Sequence, residues 1–237
     1  MIDNIKKNQE TWDLISKSFD KTRQKPWKQC IDFIKKLKKT DTVIDIGCGN
    51  GRHLVICAEH CKKVIGLDLS KELLHITKEK LEEKKLTNAI FLHSDARFIP
   101  LKNESVDAAL YIASLHNIHG KENRIQSLKE LKRILKKEGT ALISVWSRWQ
   151  DKYRKIFLKK FLLKKEELEF GDIDIYWKQH NLNVPRFYHL YSKKELMEDL
   201  KKAEFKIEKI ESVKLHSKKF PDNFFAIVKK NKFYNKY

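Results

Sequence analysis

Residues 43–52 read Val-Ile-Asp-Ile-Gly-Cys-Gly-Asn-Gly-Arg, and this stretch decides the fold. Its apolar start is typical of a buried strand, and the helical pattern after it predicts a strand, a turn and a helix in succession. Glycine has no Cβ and adopts positive φ, so a turn with Gly47, Gly49 and Gly51 lets a ligand approach the backbone. We therefore expect a cofactor at the carboxyl end of this first strand.

The glycine spacing indicates which cofactor binds. A dinucleotide fingerprint reads G-x-G-x-x-G, whereas here the third glycine comes one residue earlier. Asp45 lies inside the strand, where an unpartnered carboxylate is costly to bury, so it suits a cationic ligand. The spacing D-x-G-x-G-x-G resembles the first motif of Rossmann-like methyltransferases, which implies S-adenosylmethionine as the cofactor. The alternative is a strand that merely ends in a glycine-rich turn.

Two further acidic residues follow predicted strands. Asp68 ends the second strand, where a nucleotide fold places its ribose-binding acid. Asp95 ends the third, and the same resemblance implies that Asp95 and Ala96 contact the adenine. A single Asp is also a common turn residue. Three acids at the carboxyl ends of three strands nevertheless predict one shared ligand site.

Composition and charge limit the class of protein. The chain has 237 residues, enough for one substantial core, and we expect a single domain over 1–237. Lys and Arg total 51 against 32 Asp and Glu, a net charge of +19. This surplus favours a polyanionic partner such as nucleic acid, and the alternative is compositional drift or a heat-adapted surface.

The cysteine spacing and the apolar segments bear on metal sites, disulfides and membrane segments. The four cysteines form no C-x-x-C pair, so we expect no metal site and no disulfide framework. Cys57 and Cys61 are expected to be small core residues on the helix after the glycine turn. There is no signal-peptide pattern and no run of 18 apolar residues, which predicts a cytoplasmic protein without a membrane segment.

Strand and helix patterns alternate along the chain, which predicts an α/β fold with a parallel sheet covered on both faces. Residues 1–40 are predicted to form an N-terminal helical lid, interrupted near Pro26. A fourth strand ends before His116, where the reacting group should lie, and an amphipathic helix over 124–137 is predicted to end at Gly139.

The sequence after Trp146 departs from this alternation. Residues 148–186 are predicted to be a basic, aromatic substrate-binding insert with Arg148, Lys152, Arg154 and the pair Lys164–Lys165. Basic side chains bind phosphates and aromatic rings stack on unpaired bases. The alternative is a solvated helix with its apolar side chains packed beneath it, namely Ile156, Phe157, Phe161 and Leu162. Two β-rich segments, 205–213 and 224–228, are expected to add an antiparallel hairpin to the sheet.

Nearly the whole chain resembles the tRNA wobble-uridine carboxymethyl methyltransferases, which are Rossmann-like class I enzymes. The resemblance implies a seven-stranded, mostly parallel sheet with helices on both faces and a closing antiparallel hairpin. Its more specific matches are Thr22-Arg23 with Pro26-Trp27, His116 after the fourth strand, Arg124 in the next helix, Trp146, and Arg-Phe-Tyr-His at 186–189.

This resemblance also implies the substrate and the roles of individual residues. The expected activity is methylation of the carboxylate of a 5-carboxymethyl-type wobble uridine in tRNA to its methyl ester. The expected catalytic residues are hydrogen-bond donors to that carboxylate, namely His116, Arg23, Arg186 and Tyr188. The expected substrate-binding residues are Trp27, Arg124, Trp146, Arg148, Lys152, Arg154 and His189. A small zinc-binding activator protein is the expected heterodimer partner.

Missing motifs narrow the chemistry. A 5-methylcytosine enzyme needs a nucleophilic Cys near the end of the fourth strand, and no Cys follows Cys61. Adenine-N6 enzymes carry D/N-P-P-Y there, which the sequence at 115–118 does not match. The alternatives that remain are a small-molecule methyltransferase with a quinone-like acceptor and a non-catalytic RNA-binding subunit with the same fold.

Overall fold

The computed structural model describes residues 2–163 and 169–230. The helices are α1 (Ile2–Thr22), α2 (Lys28–Ile34), α3 (Leu54–His60), α4 (Lys71–Glu83), α5 (Lys121–Ile134), α6 (Arg154–Leu163) and α7 (Lys193–Lys202). The strands are β1 (Thr42–Ile46), β2 (Lys63–Asp68), β3 (Ala89–His93), β4 (Val106–Ile112), β5 (Leu135–Trp146), β6 (Asp172–Trp177), β7 (Val184–His189), β8 (Phe205–Val213) and β9 (Asn223–Lys230). Among these described residues, no helix is both long and apolar enough to span a membrane.

Seven strands form one sheet in the order β3-β2-β1-β4-β5-β9-β8. The first five are parallel, and β9 runs antiparallel to both β5 and β8. The predicted mostly parallel sheet with a closing antiparallel hairpin is therefore confirmed. The chain order reverses between β1 and β4, and ligands of open α/β sheets bind at the carboxyl ends of strands that flank such a reversal.

Neighbouring residues of a strand point to opposite sides of the sheet, so apolar side chains lie on both faces. Helices cover each of these two apolar layers. Ile44 joins the apolar layer under α5 and α7, while Val43 joins the layer under α2, α3 and α4. Cys57 lies in this second layer, and all four cysteines are free and buried. This double layer holds the carboxyl ends of β1 and β4 rigidly in place.

One local prediction and one alternative were wrong. The helix predicted to reach Lys137 ends at Ile134, because Leu135 is fully buried and pairs with Val106 as the first residue of β5. The helix of the insert does not pack its apolar side chains beneath it. Of the four apolar side chains named above, Phe157 alone is buried, against Tyr188 and neighbouring residues, whereas Phe161 is 69% exposed.

The rest of the insert is a separate hairpin. Strands β6 and β7 pair antiparallel, from Asp172 opposite His189 to Trp177 opposite Val184. Its basic pair Lys164–Lys165 lies outside the described residues. The hairpin and α6 stand beside the carboxyl end of β5, so the insert reaches the same edge of the sheet as the glycine turn.

Candidate functional site

The glycine turn after β1 is held closely against its neighbours. The N–H groups of Gly47 and Cys48 donate to the carbonyl of Leu67 in β2, at 2.7 and 3.0 Å. Gly47 has φ +68°, and a Cβ there would lie 2.1 Å from Ser114 Oγ. Any other residue at 47 would therefore be strained and would also displace the β4 loop.

Asp45 lies directly beneath this turn. Its side chain is 1% exposed, and its Oδ2 has no hydrogen-bond partner in the described part of the chain. Burial, followed by the negative charge of Asp68, raises the pKa of Asp45 to about 7. A buried carboxylate without a partner is costly. A cationic ligand at the turn, such as the methionine end of S-adenosylmethionine, would supply the missing positive charge.

The other two predicted cofactor acids also lie at this edge of the sheet. Asp68 accepts hydrogen bonds from the Gly49 N–H at 2.7 Å and the Ser70 N–H at 2.9 Å. Burial raises the pKa of Asp68 although these N–H groups act in the opposite direction. Asp95 makes a two-pronged ion pair with Arg97, at 3.0 and 2.8 Å. Asp68, Asp95, Ala96 and the turn residues 47–49 all line one cavity.

This cavity measures about 1130 Å³ and lies at the carboxyl edge of the sheet. Pockets for drug-sized ligands measure roughly 300–1,000 Å³, so the space accommodates the cofactor together with a second group. Helix α1 covers part of it with Trp12 and Phe19. Asp13 anchors α1 to the core by accepting a hydrogen bond from Ser70 Oγ at 2.6 Å.

Two arginines and a tyrosine gather at another part of the cavity wall. Arg186 is 6% exposed, and its Nη1 donates to the hydroxyl of Tyr188 at 2.5 Å. Its Cζ lies 4.8 Å from the ring centroid of Trp177, and the Cζ of Arg23 lies 5.4 Å from the same ring. One indole ring thus contacts two guanidinium groups.

No carboxylate of the described residues forms an ion pair with either of these arginines. Burial, followed by the positive charge of Arg186, lowers the pKa of Arg23. Burial also raises the pKa of Tyr188, which therefore keeps its proton. Because Tyr188 accepts a hydrogen bond from Arg186, its own O–H remains able to donate. This group of donors is suited to hold an anion.

His116 lies behind this group rather than on the cavity wall. The side chain is fully buried, and Nδ1 accepts a hydrogen bond from the backbone N–H of Trp146 at 3.0 Å. Burial, followed by the nearby His189 and Arg186, lowers the pKa of His116 to about 3, so the ring is neutral. It packs against the stacked pair of Trp146 and Tyr188, whose rings are 4.9 Å apart. We therefore expect His116 to act through these rings.

The predicted substrate residues fall into two groups. Trp27, Trp146 and Lys152 line the cavity. Arg154 belongs to neither group and is not on the cavity wall; its Cζ lies 4.5 Å from the ring centroid of Phe220. The others, Arg124, Arg148 and His189, belong to a buried network of charges that does not line the cavity.

Ion pairs with acidic side chains account for the three residues in this network. Arg124 pairs with Glu169, and Arg148 pairs with Glu195. His189 lies between Asp172 and Glu195, at 2.7 and 2.8 Å from their carboxylate oxygens. The network ties the β6–β7 hairpin to α5 and α7, and the predicted substrate-binding role of these three residues stays a prediction.

Sequence reasoning missed several residues of the cavity and its wall. Trp12 of α1, His119 and Tyr153 line the cavity, and Trp177 supports the two arginines. The apolar residues Ile173, Ile175 and Trp177 alternate with polar ones, a pattern that is typical of a strand. That signal would have revealed β6. No local pattern shows that Trp12 meets the cavity, because the contact depends on how α1 packs.

Comparisons with known proteins agree with this geometry. A family model described as a methyltransferase domain matches residues 44–143. A solved S-adenosylmethionine-dependent methyltransferase from Methanosarcina mazei is 23% identical, with a TM-score of 0.71 over 87% of this chain and 98% of that one. The fold and the site define a class I methyltransferase whose cofactor is S-adenosylmethionine, as the sequence predicted.

The relatives identify the family within that class. The tRNA (carboxymethyluridine(34)-5-O)-methyltransferase of Schizosaccharomyces pombe is 30% identical over 206 residues, which are 80% of this chain and 84% of that protein. The chain belongs to this family, which confirms the predicted resemblance. The enzyme of the same name from Xenopus tropicalis, alkbh8, is 38% identical over 146 residues. The chain spans about a fifth of the length of this relative and of those from mouse and macaque.

Proposed function

We propose that the protein transfers a methyl group from S-adenosylmethionine to the carboxylate of a 5-carboxymethyl-type uridine at the wobble position of tRNA. The observation that carries this proposal is the pair of cavity arginines, Arg23 and Arg186, for which no described residue supplies an anion. Relatives named tRNA (carboxymethyluridine(34)-5-O)-methyltransferases support the same substrate.

The chemistry requires alignment more than proton transfer. S-adenosylmethionine supplies a methyl group on positively charged sulfur, which a carboxylate oxygen can take in one displacement. A carboxylic acid with a pKa near 4 is already ionised at neutral pH, so the protein needs no general base. Holding the reacting atoms in line can supply roughly 7–11 kcal/mol of the barrier.

Three side chains can replace the water around the acceptor. Arg23 and Arg186 offer charged N–H donors, and Tyr188 offers its O–H. His116 keeps the Trp146–Tyr188 pair in position from behind. Trp146, stacked on Tyr188 and exposed to the cavity, can hold the uracil ring beside the carboxylate.

Two alternatives make different predictions. A small-molecule methyltransferase would use the same cofactor site but would not need cationic groups around the cavity opening, such as Lys21, Lys25, Lys152 and Lys218. A non-catalytic RNA-binding subunit would have no need for the buried carboxylates Asp45 and Asp68. Calorimetry with S-adenosylmethionine distinguishes the non-catalytic subunit from either enzyme, because that subunit is expected to show no measurable cofactor binding.

The substrate class is tested with tRNA from cells that lack wobble methylation. The protein is incubated with this tRNA and S-adenosylmethionine, and the nucleosides are analysed by mass spectrometry. We expect a 5-substituted wobble uridine to gain one methyl group that mild alkali removes, because esters hydrolyse in base. Absence of methylation, with cofactor binding intact, would favour the small-molecule enzyme.

We also propose roles for the two segments predicted beside the core. Residues 1–40 act as a lid, supported by Trp12, Phe19, Arg23 and Trp27 on the cavity wall. The insert 148–186 binds the substrate, supported by Lys152, Tyr153 and Arg186 on the same wall. A variant of the protein that lacks residues 2–22 should release the cofactor faster than the unmodified protein, and stopped-flow fluorescence can measure this rate.

A small zinc-binding activator protein is the partner that the family resemblance implies. The exposed apolar side chains of Ile90 and Phe98, 42% and 66% exposed, support a partner at the outer strand β3. Co-expression followed by size-exclusion chromatography tests this: a heterodimer should form and should be lost in Phe98→Asp. A partner that binds this variant equally well would exclude this surface.

We place the proposed activity in the cytoplasm. The four free, buried cysteines fit a reducing compartment. Microscopy of the fluorescently tagged protein tests this, and accumulation in another compartment would contradict it.

A further inference from the structure

Two carboxylates fix the loop between β8 and β9 at the mouth of the cavity. Asp222 accepts hydrogen bonds from the backbone N–H groups of residues 215–217, at 2.8, 2.6 and 2.7 Å. Asp151, from the insert, accepts from those of residues 218–220, at 2.8, 3.0 and 3.0 Å. Six consecutive N–H groups thus point inward at two acids, and the loop has a defined shape.

The same geometry affects the charges of the two acids. Hydrogen bonds from the N–H groups, that of Lys219 first, lower the pKa of Asp151. Burial would raise the pKa of Asp222, but the N–H groups of Leu215 and His216 and further donors hold it below its usual value. Both acids are therefore ionised at neutral pH and remain acceptors for the loop.

The outward side of the loop is cationic. Lys214, Lys218 and Lys219 are exposed, and none of them forms an ion pair with a carboxylate in residues 2–163 or 169–230. Lys218 and His216 line the cavity, as do Lys21 and Lys152 from other elements. The loop thus continues a positively charged rim around the opening.

One aromatic side chain accompanies these lysines. Phe220 is 39% exposed and lies under the guanidinium of Arg154, which comes from α6. Lysines spaced along a fixed backbone next to a partly exposed ring are suited to single-stranded nucleic acid, because phosphates bind the cations and bases stack on the ring.

We propose that the β8–β9 loop is an RNA-docking element, which Asp151 positions. Lys214, Lys218 and Lys219 contact phosphates of the nucleotides that flank the one in the cavity, and Phe220 with Arg154 offers a stacking surface. This inference rests on the proposed tRNA substrate and deepens it, because it assigns the contacts outside the methylated base.

Replacement of Asp151 tests the proposal, because a positioning role and simple charge repulsion predict opposite changes in RNA affinity. Its negative charge would repel RNA, so removal of the charge alone should strengthen binding. If Asp151 instead holds the lysines in place, Asp151→Ala frees three N–H groups, disorders the loop and weakens binding. Glu198→Gln is the matched control, since it removes one exposed negative charge from α7 and leaves the loop intact.

The experiment measures binding of a fluorescently labelled full-length tRNA transcript by anisotropy, with cofactor affinity by calorimetry as the test of folding. We expect Asp151→Ala to weaken RNA binding at least threefold, Asp151→Asn to weaken it less, and Glu198→Gln to leave it unchanged or slightly tighter. Cofactor affinity should stay the same in all three. Binding of RNA by Asp151→Ala as tight as that of the unmodified protein, or tighter, would overturn the proposal.

A second set of variants tests the lysines directly. Each neutralised phosphate contributes about 0.7–0.9 to the slope of log affinity against log salt. Replacement of Lys214, Lys218 and Lys219 by Gln should lower this slope by about 2–3, because three phosphate contacts are lost. The control replaces Lys35, Lys36 and Lys39, which are exposed near the start of β1, at the opposite edge of the sheet. An equal change in both sets would contradict a specific role for the loop.

These outcomes are separate from those of the proposed function. If the unmodified protein methylates wobble uridine and the loop variants do so with unchanged KM, the docking proposal is wrong and the proposed function stands. If the protein methylates no tRNA, the proposed function fails, while the anisotropy measurements still decide whether the loop binds RNA.

Discussion

Arg186 is buried beside Tyr188 and Trp177, and no carboxylate in the described part of the chain neutralises it. Removal of one preorganised donor from a catalytic site costs roughly 10²–10³ in kcat. We therefore expect Arg186→Ala to lower kcat by about that factor and to leave the Kd of S-adenosylmethionine within about twofold, because Arg186 hydrogen-bonds to Tyr188 and not to the cofactor acids Asp68 and Asp95.

Arg186→Lys is the companion variant in steady-state kinetics and calorimetry. Lysine keeps the positive charge but lacks the planar guanidinium with its several N–H donors. The kcat of Arg186→Lys should therefore lie between those of the unmodified protein and Arg186→Ala. An equal loss of turnover and cofactor affinity in Arg186→Ala would contradict its assignment to the acceptor.

Asp45 predicts a pH dependence of cofactor binding. Its raised pKa of about 7 means that the free protein carries a protonated Asp45 below pH 7 and a carboxylate above it. A cationic ligand prefers the carboxylate, so binding at low pH must release a proton. We expect the affinity for S-adenosylmethionine to be about tenfold lower at pH 6 than at pH 8, since each pH unit below the pKa costs up to about 1.4 kcal/mol.

Calorimetry in buffers of different ionisation enthalpy measures this proton release. Asp45→Asn, which does not titrate, should bind weakly at both pH values. A pH dependence that persists in Asp45→Asn would show that another group is responsible.

The sequence predicted residues of the site from local patterns and from charge, and only the local patterns are independent of long-range contacts. The glycine spacing and the strand-end acids could be recognised because they are local features of the chain. Arg124, Arg148 and His189 were predicted to bind substrate because a sequence shows a charge but not its partner. Their partners Glu169 and Glu195 lie 45 and 47 residues away from Arg124 and Arg148.

At the scale of elements, α1 connects the cofactor site to the β6–β7 hairpin. Ser18 of α1 accepts a hydrogen bond from Trp177 Nε1 at 2.8 Å and lies 2.7 Å from His180 Nδ1. Ser18→Ala leaves the buried indole N–H unpaired, which costs about 1–3 kcal/mol. We expect the free energy of unfolding to fall by about this amount in urea denaturation.

Trp177→Phe completes a double-mutant cycle for this contact. Phenylalanine lacks the N–H group, so the double variant should lose less stability than the sum of the two single variants. Simple additivity would show that the hydrogen bond does not couple α1 to the hairpin.

Elements were predictable where their pattern is local. Strands β1 to β5 alternate with helices and could be placed from the hydrophobic pattern. The boundary between α5 and β5 could not, because the pairing of Leu135 with Val106 ends the helix before Gly139. The position of α1 over the cavity depends on contacts such as Ser18 with Trp177, which are 159 residues apart.

At the scale of the whole molecule, the structure shows where part of the net charge of +19 lies. Lysines from α1, the insert and the β8–β9 loop line the cavity together with Arg23 and Arg186. From the composition alone, the positive charge could also be explained by compositional drift. The positions of these cations favour a polyanion that brings a carboxylate into the cavity, and they connect the charge to the proposed chemistry.

The central claim is that the protein methylates a carboxylate held by Arg23 and Arg186. Two synthetic anticodon stem-loops test it most directly, one with 5-carboxymethyluridine and the other with the neutral 5-carbamoylmethyluridine at the wobble position. The measurement is kcat/KM for transfer of a labelled methyl group to each. We predict transfer to the carboxymethyl stem-loop alone, and a rate for the carbamoylmethyl stem-loop that equals or exceeds it would contradict the claim.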